Sequence, residues 1–304
     1  MKNDELIRMD AKGAITGYTE LVGLMAYPIR HSNSPAMQNE AFRAAGIDCI
    51  QLAFEVDNST LEDAVKAIRA LRMRGSNVSM PNKTVVGQYL DKLSPEAALI
   101  GSVNTIVNDN GVLTGYCTDG IGYMAALNHS GIDVSRKKIT IVGAGGAATA
   151  MQIQAALDGV AEISIFNVKD HFFKAGEETV RKINAHTSCR AAIYDLQDHA
   201  LLRKEIEDSF LLANATGLGM KPHEGETWLP DVSYLRPDLV VTDTVYAPTM
   251  TRFLEMAREA GCRYMNGHGM MLFQGAAAFK LWTGKEMDIE RMQKVLGIQL
   301  PLFY

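Results

Sequence analysis

The chain of 304 residues has few cysteines and no long apolar run. Its four cysteines, Cys49, Cys117, Cys189 and Cys262, are far apart and form no C-x-x-C pair. This spacing excludes a disulfide scaffold and the common zinc sites, and it favours reduced thiols in the cytoplasm. No apolar run reaches the ~20 residues that a membrane-spanning helix needs, and the polar residues 1–14 lack the apolar centre of a signal peptide. We therefore expect a cytoplasmic protein without a membrane partner.

The small net charge of the chain limits the classes of partner that we expect it to bind. The chain carries 30 Lys and Arg against 35 Asp and Glu, a formal net charge of -5 at pH 7. It has no basic stretch of the kind that binds nucleic acid, and no acidic tail. Hydrophobic residues (47%) and charged residues (21%) occur in the proportions of an ordinary globular protein. We expect small-molecule partners, no nucleic acid, and enough chain for two domains.

The first part of the chain alternates strand-like and helix-like segments, which is the pattern of an α/β fold. The helical pattern over 34–46 has Ser34 as its expected N-cap, and the helical pattern over 59–75 is expected to end at Gly75. Residues 109–111 (Asp-Asn-Gly), between two apolar runs, predict a β-hairpin. The sequence therefore predicts a mixed sheet in this part.

From residue 137 onward the pattern changes. A basic lead-in is followed by an apolar strand, a glycine turn, a helix of small residues and further strand-like segments. This succession is typical of a Rossmann-type dinucleotide-binding domain. We predict an N-terminal α/β substrate domain with a mixed sheet, formed by residues 1–118 and 270–304. The Rossmann-type domain is predicted over 119–269, with the C-terminal helices returning to the first domain.

The glycine turn carries the dinucleotide-binding pattern Gly143-x-Gly145-x-x-Ala148 between a strand and a helix. Gly143 allows a tight turn, Gly145 lets the backbone approach a pyrophosphate, and Ala148 keeps the helix close to the strand. The alternative is a glycine turn that binds no ligand. The flanking strands favour a dinucleotide, for which hydride transfer is the commonest chemistry. A protein that senses the nucleotide without turnover stays open as the binding-only alternative.

The residues after the next strand distinguish NAD from NADP. An acidic side chain there binds the ribose hydroxyls of NAD, whereas an arginine binds the 2′-phosphate of NADP. Asp170 is placed to bind the ribose and would repel a phosphate, while Lys169 and His171 weakly favour a phosphate. We predict NAD as the cofactor, with NADP as the weaker candidate.

Polar residues of the first domain stand at predicted strand ends and helix starts, where substrate sites are assembled. Ser32 and Ser34 precede a helix, an arrangement that suits a carboxylate but also simple helix capping. Lys83 follows a Pro-Asn step at a predicted helix start, and alone it is typical of a solvated lysine. Asp119 alone is typical of a helix cap. None of these residues identifies a site by itself.

Seven segments together resemble the shikimate dehydrogenase family, and within it the quinate/shikimate dehydrogenases. They are LVGLMAYPIRHSNSPAMQN, NVSMPNK, GSVNTIV, GYCTDGIG, GAGGAATA, NATGLGMKP and NGHGMMLFQGAAAFKLWTGK, and they extend over most of the chain from Leu21 onward. The resemblance implies a reversible, NAD(P)-dependent oxidation of a ring hydroxyl. The expected reactions are shikimate to 3-dehydroshikimate and quinate to 3-dehydroquinate.

The resemblance also implies roles for individual residues. Lys83 matches the family's catalytic lysine, which takes the hydroxyl proton, and Asp119 matches the aspartate that hydrogen-bonds the hydroxyl. The residues that match substrate contacts are Ser32, Ser34, Ser79, Lys83, Asn104, Asp119, Tyr246 and Gln274. The residues that match cofactor contacts are Gly143, Ala144, Gly145, Gly146, Ala147, Asn167, Val168, Lys169, Asp170, Gly217, Thr244, Val245, Tyr246, Ala247 and Gly267. No metal site is expected.

Two departures from the family pattern favour the quinate/shikimate branch. Val168 stands where NADP-dependent members typically have arginine, and Ser79 stands where many shikimate-specific members have threonine. Two alternatives stay open: a non-catalytic regulator of the same fold that senses a metabolite or NAD, and an aminoshikimate dehydrogenase. A protein that only senses a ligand would not need Lys83, Asp119 and the glycine turn together. A homodimer is the candidate assembly.

Overall fold

The computed structural model describes residues 15–298, which form two compact units. One unit contains residues 15–117 and 275–298, and the other contains residues 118–274. The prediction made for residues 1–14, and the part of the predicted first domain beyond residue 298, lie outside the described residues. Which unit binds the substrate and which binds the dinucleotide stays a prediction.

The helices and strands alternate along the whole described chain. They are β1 (Glu20–Ala26), α1 (Ser34–Ala44), β2 (Cys49–Glu55), α2 (Leu61–Ala70), β3 (Gly75–Val78), a 3₁₀ turn (Val86–Tyr89), β4 (Lys92–Leu93), α3 (Pro95–Ile100), β5 (Thr105–Asp109), β6 (Val112–Tyr116), α4 (Asp119–His129), β7 (Lys138–Val142), α5 (Gly146–Leu157), β8 (Glu162–Asn167), α6 (His171–His186), β9 (Arg190–Asp195), α7 (His199–Glu207), β10 (Leu211–Asn214), a 3₁₀ turn (Val232–Tyr234), β11 (Val240–Asp243), α8 (Arg252–Glu259), β12 (Arg263–Met265), α9 (His268–Thr283) and α10 (Ile289–Leu296). The predicted α/β fold class is confirmed.

The described residues of the first unit build a six-stranded sheet in the order β2-β1-β3-β5-β6-β4. β1 pairs in parallel with β2 and β3, whereas β5 is antiparallel to β3 and β6. The predicted hairpin joins β5 and β6, with φ values of 52° at Asn110 and 96° at Gly111. Both values fit a tight turn of the kind that an Asn-Gly step favours. The mixed sheet and its hairpin are therefore confirmed.

Helix α1 buries one apolar side against the core of the first unit. Met37, Ala41 and Phe42 are buried on this side, and the Phe42 ring lies 5.4 Å from the ring of Phe279 in α9. The predicted capping by Ser34 is wrong, because the helix begins at Ser34 and has no side-chain cap. The backbone N–H of Ser34 is instead satisfied by the hydroxyl of Ser32, at 3.2 Å.

Gly75 does not end a helix as predicted. Helix α2 ends at Ala70, and Gly75 is the first residue of β3. A Cβ atom at this position would lie 2.1 Å from the carbonyl oxygen of Ile106 in β5. The glycine is therefore needed for the close approach of two strands, a cause that the local pattern does not reveal.

The second unit contains the Rossmann-type arrangement that the sequence predicts. Its described residues build a sheet of six parallel strands in the order β9-β8-β7-β10-β11-β12. The strand order reverses between β7 and β10, and ligands of such sheets bind at the carboxyl ends of the strands near this point. Strand β12 was not predicted, because three residues are too few to show a periodic pattern.

Two further observations concern membranes and metals. Over residues 15–298, no helix combines the length and the apolar character that crossing a bilayer requires. In the same residues, no cluster of His, Cys, Asp and Glu side chains could hold a metal ion.

Candidate active site

Several predicted substrate residues of the first unit lie in segments that leave or enter strands at the same edge of its sheet. β1 and β3 are parallel neighbours, so their carboxyl ends lie side by side. β5 runs antiparallel to β3 and starts at this edge, where the Val78 N–H donates to the carbonyl of Asn104 at 2.8 Å. The segments that carry Ser32, Ser79 and Asn104 are therefore brought together.

Ser32 and Ser34 form the turn that leads into α1. Both side chains are half-buried, and the Ser32 hydroxyl accepts the Ser34 N–H at 3.2 Å. In this contact the Ser32 oxygen is the acceptor, so the hydrogen of its hydroxyl is still able to donate to a bound ligand. The positive end of the eleven-residue helix α1 lies at the same place. The turn is therefore suited to a carboxylate.

Lys83 lies in a turn before the 3₁₀ segment (Val86–Tyr89), so the predicted helical start at this lysine is wrong. The Ser79 N–H donates to the carbonyl of Met25 in β1 at 2.9 Å, and the Val103 N–H donates to the carbonyl of Lys83 at 2.9 Å. Ser79 and Lys83 are both half-buried. We call residues 79–86 the lysine loop.

Asn82 fixes the lysine loop and was not predicted as a site residue. Its side chain is fully buried, and its Nδ2 donates to the carbonyl of Val56, just after β2, at 2.7 Å. Its backbone N–H donates to the carbonyl of Ser79 at 2.9 Å. The sequence around Asn82 is polar and gives no sign that this side chain is buried, and its partner Val56 is distant in the sequence.

Asn104 is held by a network of buried amides. Thr105 Oγ1 donates to Asn104 Oδ1 at 3.0 Å and also accepts from Asn77 Nδ2 at 3.2 Å. Asn77 Oδ1 in turn accepts from Gln51 Nε2 at 2.9 Å. Gln51, Asn77, Asn104 and Thr105 are all buried, so the network sets the orientation of the Asn104 side chain.

In the second unit, Asp119 is the first residue of α4 and is 8% exposed. The N-cap position belongs to Thr118, so Asp119 is not the cap that its isolated pattern suggests. One turn later, a Cβ atom at Gly122 would lie 2.4 Å from the backbone nitrogen of Gln274 in α9. The start of α4 and the predicted substrate residue Gln274 therefore lie close together within this unit.

The glycine turn joins β7 to α5 at the point where the strand order reverses. Gly143 has a φ of +121°, and a Cβ atom there would lie 2.6 Å from the carbonyl oxygen of Ala215, so only glycine fits. At Gly145 and Gly146 an added Cβ would meet no atom within 4 Å. The backbone therefore faces open space at the N-terminus of α5, which fits a pyrophosphate. Gln152 was not predicted, and its Nε2 holds the turn by donating to the Gly143 carbonyl at 2.9 Å.

The residues that would distinguish NAD from NADP follow β8. Asp170 is the N-cap of α6, and its Oδ1 accepts from Asn167 Nδ2 and from the Phe172 N–H, both at 2.9 Å. Val168 and Asp170 are exposed, and Lys169 Nζ lies 3.5 Å from Asp195 Oδ2. The carboxylate of Asp170 is thus held in place while it remains open to solvent.

The remaining predicted cofactor residues lie in loops that follow β10, β11 and β12. A Cβ atom at Gly267 would lie 2.0 Å from the carbonyl oxygen of Thr244, so two of these loops touch at a glycine. The Gly267 N–H donates to the Val245 carbonyl at 3.0 Å. The exposed ring of Tyr246 lies 5.5 Å from the ring of His268, whose pKa is lowered by burial. The loops after β11 and β12 therefore contact each other at the carboxyl ends of the strands.

Comparison with known proteins gives the family. Residues 24–106 match the shikimate dehydrogenase substrate binding domain, and residues 267–296 match the shikimate 5′-dehydrogenase C-terminal domain. A shikimate dehydrogenase (NADP(+)) from Listeria monocytogenes serotype 4b (strain F2365) is 60% identical over 282 residues, which cover 93% of this chain and 97% of the relative.

Solved structures give the same result. The crystal structure of shikimate 5-dehydrogenase from Listeria monocytogenes, in complex with shikimate and NAD, matches with a TM-score of 0.91 and 60% identity, over 93% of this chain and 98% of that one. Quinate dehydrogenase from Corynebacterium glutamicum, in complex with NAD, matches with a TM-score of 0.82 and 28% identity, over 91% of this chain and 98% of that one. The chain therefore belongs to the shikimate dehydrogenase family.

Proposed function

We propose that the protein reversibly oxidises a ring hydroxyl of shikimate to give 3-dehydroshikimate, with NAD or NADP as the hydride acceptor. The observation that carries this proposal is the meeting of the segments with Ser32, Ser79 and Asn104 at one sheet edge of the first unit. The relatives support it, because one is named a shikimate dehydrogenase and another was crystallised with shikimate and NAD.

The substrate carboxylate binds at the turn before α1. The hydroxyls of Ser32 and Ser34 donate to it, and the amide end of α1 adds a favourable partial charge. Ser79, Asn104, Tyr246 and Gln274 make the further substrate contacts. Asn104 is suited to this role because its neighbours already fix its side chain.

Lys83 is the general base of the reaction. Oxidation breaks the C–H and O–H bonds of the alcohol and forms a carbonyl, so a hydride and a proton must both leave. Bound NAD or NADP supplies the acceptor for the hydride. Lys83 as a neutral amine takes the single hydroxyl proton and becomes an ammonium. Asp119 accepts a hydrogen bond from the nitrogen of Lys83 and so orients the base toward the reacting hydroxyl. In the reverse direction the ammonium of Lys83 returns the proton to the forming alkoxide.

The second unit holds the dinucleotide. Gly143 and Gly145 shape the turn, and the exposed amides at the start of α5 bind the pyrophosphate. The loops after β10, β11 and β12, with Gly217, Tyr246 and Gly267, bind the nicotinamide end. These roles are supported by the open space at the glycine turn and by the contact between two of the loops.

NAD is the preferred cofactor. The Asp170 carboxylate, oriented by Asn167, accepts from the ribose hydroxyls of NAD and repels the additional phosphate of NADP. Lys169 is drawn toward Asp195 and so offers less positive charge to a phosphate. The similar Listeria structure contains NAD, whereas the similar Listeria relative is named for NADP(+).

Quinate is a second substrate. Shikimate has a flat, unsaturated carbon where the carboxylate attaches, whereas quinate has a tetrahedral carbon there with an additional hydroxyl. Quinate therefore needs slightly more room beside the carboxylate. Ser79 provides this room, because serine has one methyl group fewer than threonine and keeps the hydroxyl. The similarity to quinate dehydrogenase from Corynebacterium glutamicum supports this specificity.

The non-catalytic sensor is not favoured, because the similar proteins above are named as dehydrogenases. We place the enzyme in the cytoplasm, which the four buried thiols support. The homodimer stays a prediction, and light scattering of the purified protein would measure it.

The function is tested by steady-state rates for four pairs, shikimate or quinate with NAD or NADP, followed by absorbance of the reduced cofactor. We expect turnover of shikimate and quinate, with higher catalytic efficiency for NAD. Absence of turnover with all four pairs, while the protein still binds shikimate, would favour the sensor.

A further inference from the structure

One buried carboxylate links two of the loops assigned to the nicotinamide end. Asp243 is the last residue of β11 and is 4% exposed. Its Oδ1 accepts from Asn214 Nδ2 and from the Val245 N–H, both at 2.9 Å. Its Oδ2 accepts from Thr251 Oγ1 at 2.7 Å. Three donors from three parts of the second unit therefore meet on one side chain.

Asn214 extends these contacts to the loop after β10. Its Oδ1 accepts from the Thr216 hydroxyl at 2.7 Å and from Trp228 Nε1 at 3.0 Å. Its Nδ2 also donates to the Leu218 carbonyl at 3.3 Å. Residues 216 and 218 enclose Gly217, a predicted cofactor contact. The shape of this loop is thus set by Asn214, and the position of the Asn214 side chain is set by Asp243.

We propose that Asp243 is a positioning residue for the cofactor. It holds the loop with Gly217 and the loop with Thr244, Val245, Tyr246 and Ala247 in the arrangement that binds the nicotinamide end. The inference rests on the proposed function, since it takes the second unit to be the dinucleotide site. Asp243 itself touches neither cofactor nor substrate in this role.

The hydrogen bonds and the burial of Asp243 fit a structural role better than a direct role in the reaction. Burial raises the pKa of Asp243 to about 6, against the opposing effect of its hydrogen bonds from Thr251, Val245 and Asn214, and no charged side chain contributes to the shift. The protonated form can still donate from Oδ2 to the Thr251 hydroxyl, which rotates to accept. The three contacts therefore persist in both protonation states.

Two substitutions separate positioning from general stability. Asp243→Ala removes the acceptor that three donors share, and we expect the dissociation constants of NADH and NADPH to rise by about tenfold or more. Asp243→Asn keeps one oxygen for Asn214 and Val245 and can donate to the Thr251 hydroxyl. We expect its dissociation constants to stay within about threefold of the unmutated protein. Nucleotide fluorescence measures both dinucleotides directly, without turnover.

Thr140→Val is the matched control. Thr140 is fully buried in β7 of the same unit, and its hydroxyl lies 2.9 Å from that of Ser209. We expect this variant to lower the unfolding temperature without changing dinucleotide affinity. If Asp243→Ala does not fold, Thr251→Val removes one of the three donors, and we expect a loss of affinity of about two- to fivefold.

Each result decides the inference. Weakened binding in Asp243→Ala, with recovery in Asp243→Asn, supports it. Unchanged affinity in Asp243→Ala and Thr251→Val, with only the stability loss of the control, would overturn it and leave the proposed function standing. Failure of the unmutated protein to bind either dinucleotide would overturn both.

Discussion

The side chain of Asn82 ties the lysine loop to the end of β2, because its Nδ2 donates to the carbonyl of Val56 at 2.7 Å. Val56 is itself anchored, since its N–H donates to the carbonyl of Ala26 at the end of β1 at 3.0 Å. Two neighbouring strands of the first unit thereby fix the residue that directly precedes Lys83. The position of the proposed base is thus determined by a contact outside its own loop.

We expect Asn82→Ala to lower kcat by about ten- to hundredfold, because a displaced base no longer meets the hydroxyl proton. The KM for shikimate should change much less than kcat, since the turn with Ser32 and Ser34 is untouched. Thr84→Ala, an exposed neighbour in the same loop, should leave both parameters near normal. A normal kcat in a folded Asn82→Ala protein would contradict the positioning role.

Replacement of Asp170 tests the cofactor preference. Asp170→Ala removes the charge that repels a 2′-phosphate, so we expect the NAD-to-NADP ratio of catalytic efficiencies to fall by about tenfold. It also removes the N-cap of α6, at a cost of about 1 kcal/mol in the free energy of unfolding.

The control for that prediction is Asp198→Ala. Asp198 caps α7 by accepting the Leu201 N–H at 3.0 Å, so this variant should lose similar stability without a change in the cofactor ratio. An unchanged ratio in Asp170→Ala would assign the preference to other residues. A clear preference of the unmutated protein for NADP would show that the assignment of NAD is wrong.

Ser79→Thr tests the breadth of substrate specificity. One added methyl group in a substrate pocket changes discrimination by about 1–3 kcal/mol. We expect catalytic efficiency to fall more for quinate than for shikimate, because quinate needs the additional room. Ser59→Thr, at an exposed position of the same unit, should affect neither substrate. Equal losses on both substrates in Ser79→Thr would remove Ser79 as the determinant.

An ion cluster at the opposite end of the second sheet predicts acid sensitivity. Lys138 Nζ lies 2.7 Å from Glu205 Oε2 and 3.1 Å from Glu162 Oε1. Burial raises the pKa of Glu205, but hydrogen bonds from Lys138 and Ser164 outweigh this effect and lower the pKa below its ordinary value of 4.5. A carboxyl whose pKa is lowered by folding stabilises the protein above that ordinary value. This stabilisation is lost as the pH falls through the lowered pKa.

We therefore expect Lys138→Met to cost about 2–3 kcal/mol in the free energy of unfolding near pH 7. The difference from the unmutated protein should narrow as the pH falls below 4.5, the ordinary pKa of these carboxyls, because their protonation removes the need for a charged partner. Urea unfolding at several pH values measures this. Lys174→Met, at an exposed position of α6, is the control. A difference that stays constant with pH would exclude the ion pair as its source.

Local signals account for the features that the sequence predicted well. The hairpin at residues 109–111 and the turn at Gly143 depend on backbone conformations that few residue types adopt, so the chain itself reveals them. The alternation of apolar segments likewise predicted the mixed sheet of the first unit and the parallel sheet of the second. These features need no knowledge of distant partners.

Contacts between distant residues account for what the sequence did not reveal. Asn82 and Val56 are 26 residues apart, and Asn214 and Asp243 are 29 residues apart. Gly75 was misassigned for the same reason, because its need for glycine comes from the Ile106 carbonyl in another strand. Such supporting residues become visible only when the strands are placed side by side.

The most direct test of the proposed function is the rate of shikimate oxidation by Lys83→Ala. A general base contributes about 10²–10⁴-fold to turnover, so we expect kcat to fall by that factor. The dissociation constant of shikimate should stay within roughly tenfold, as a role confined to the transition state requires. Lys92→Ala, an exposed lysine of the same unit, should keep normal turnover. Near-normal turnover in Lys83→Ala would contradict the mechanism.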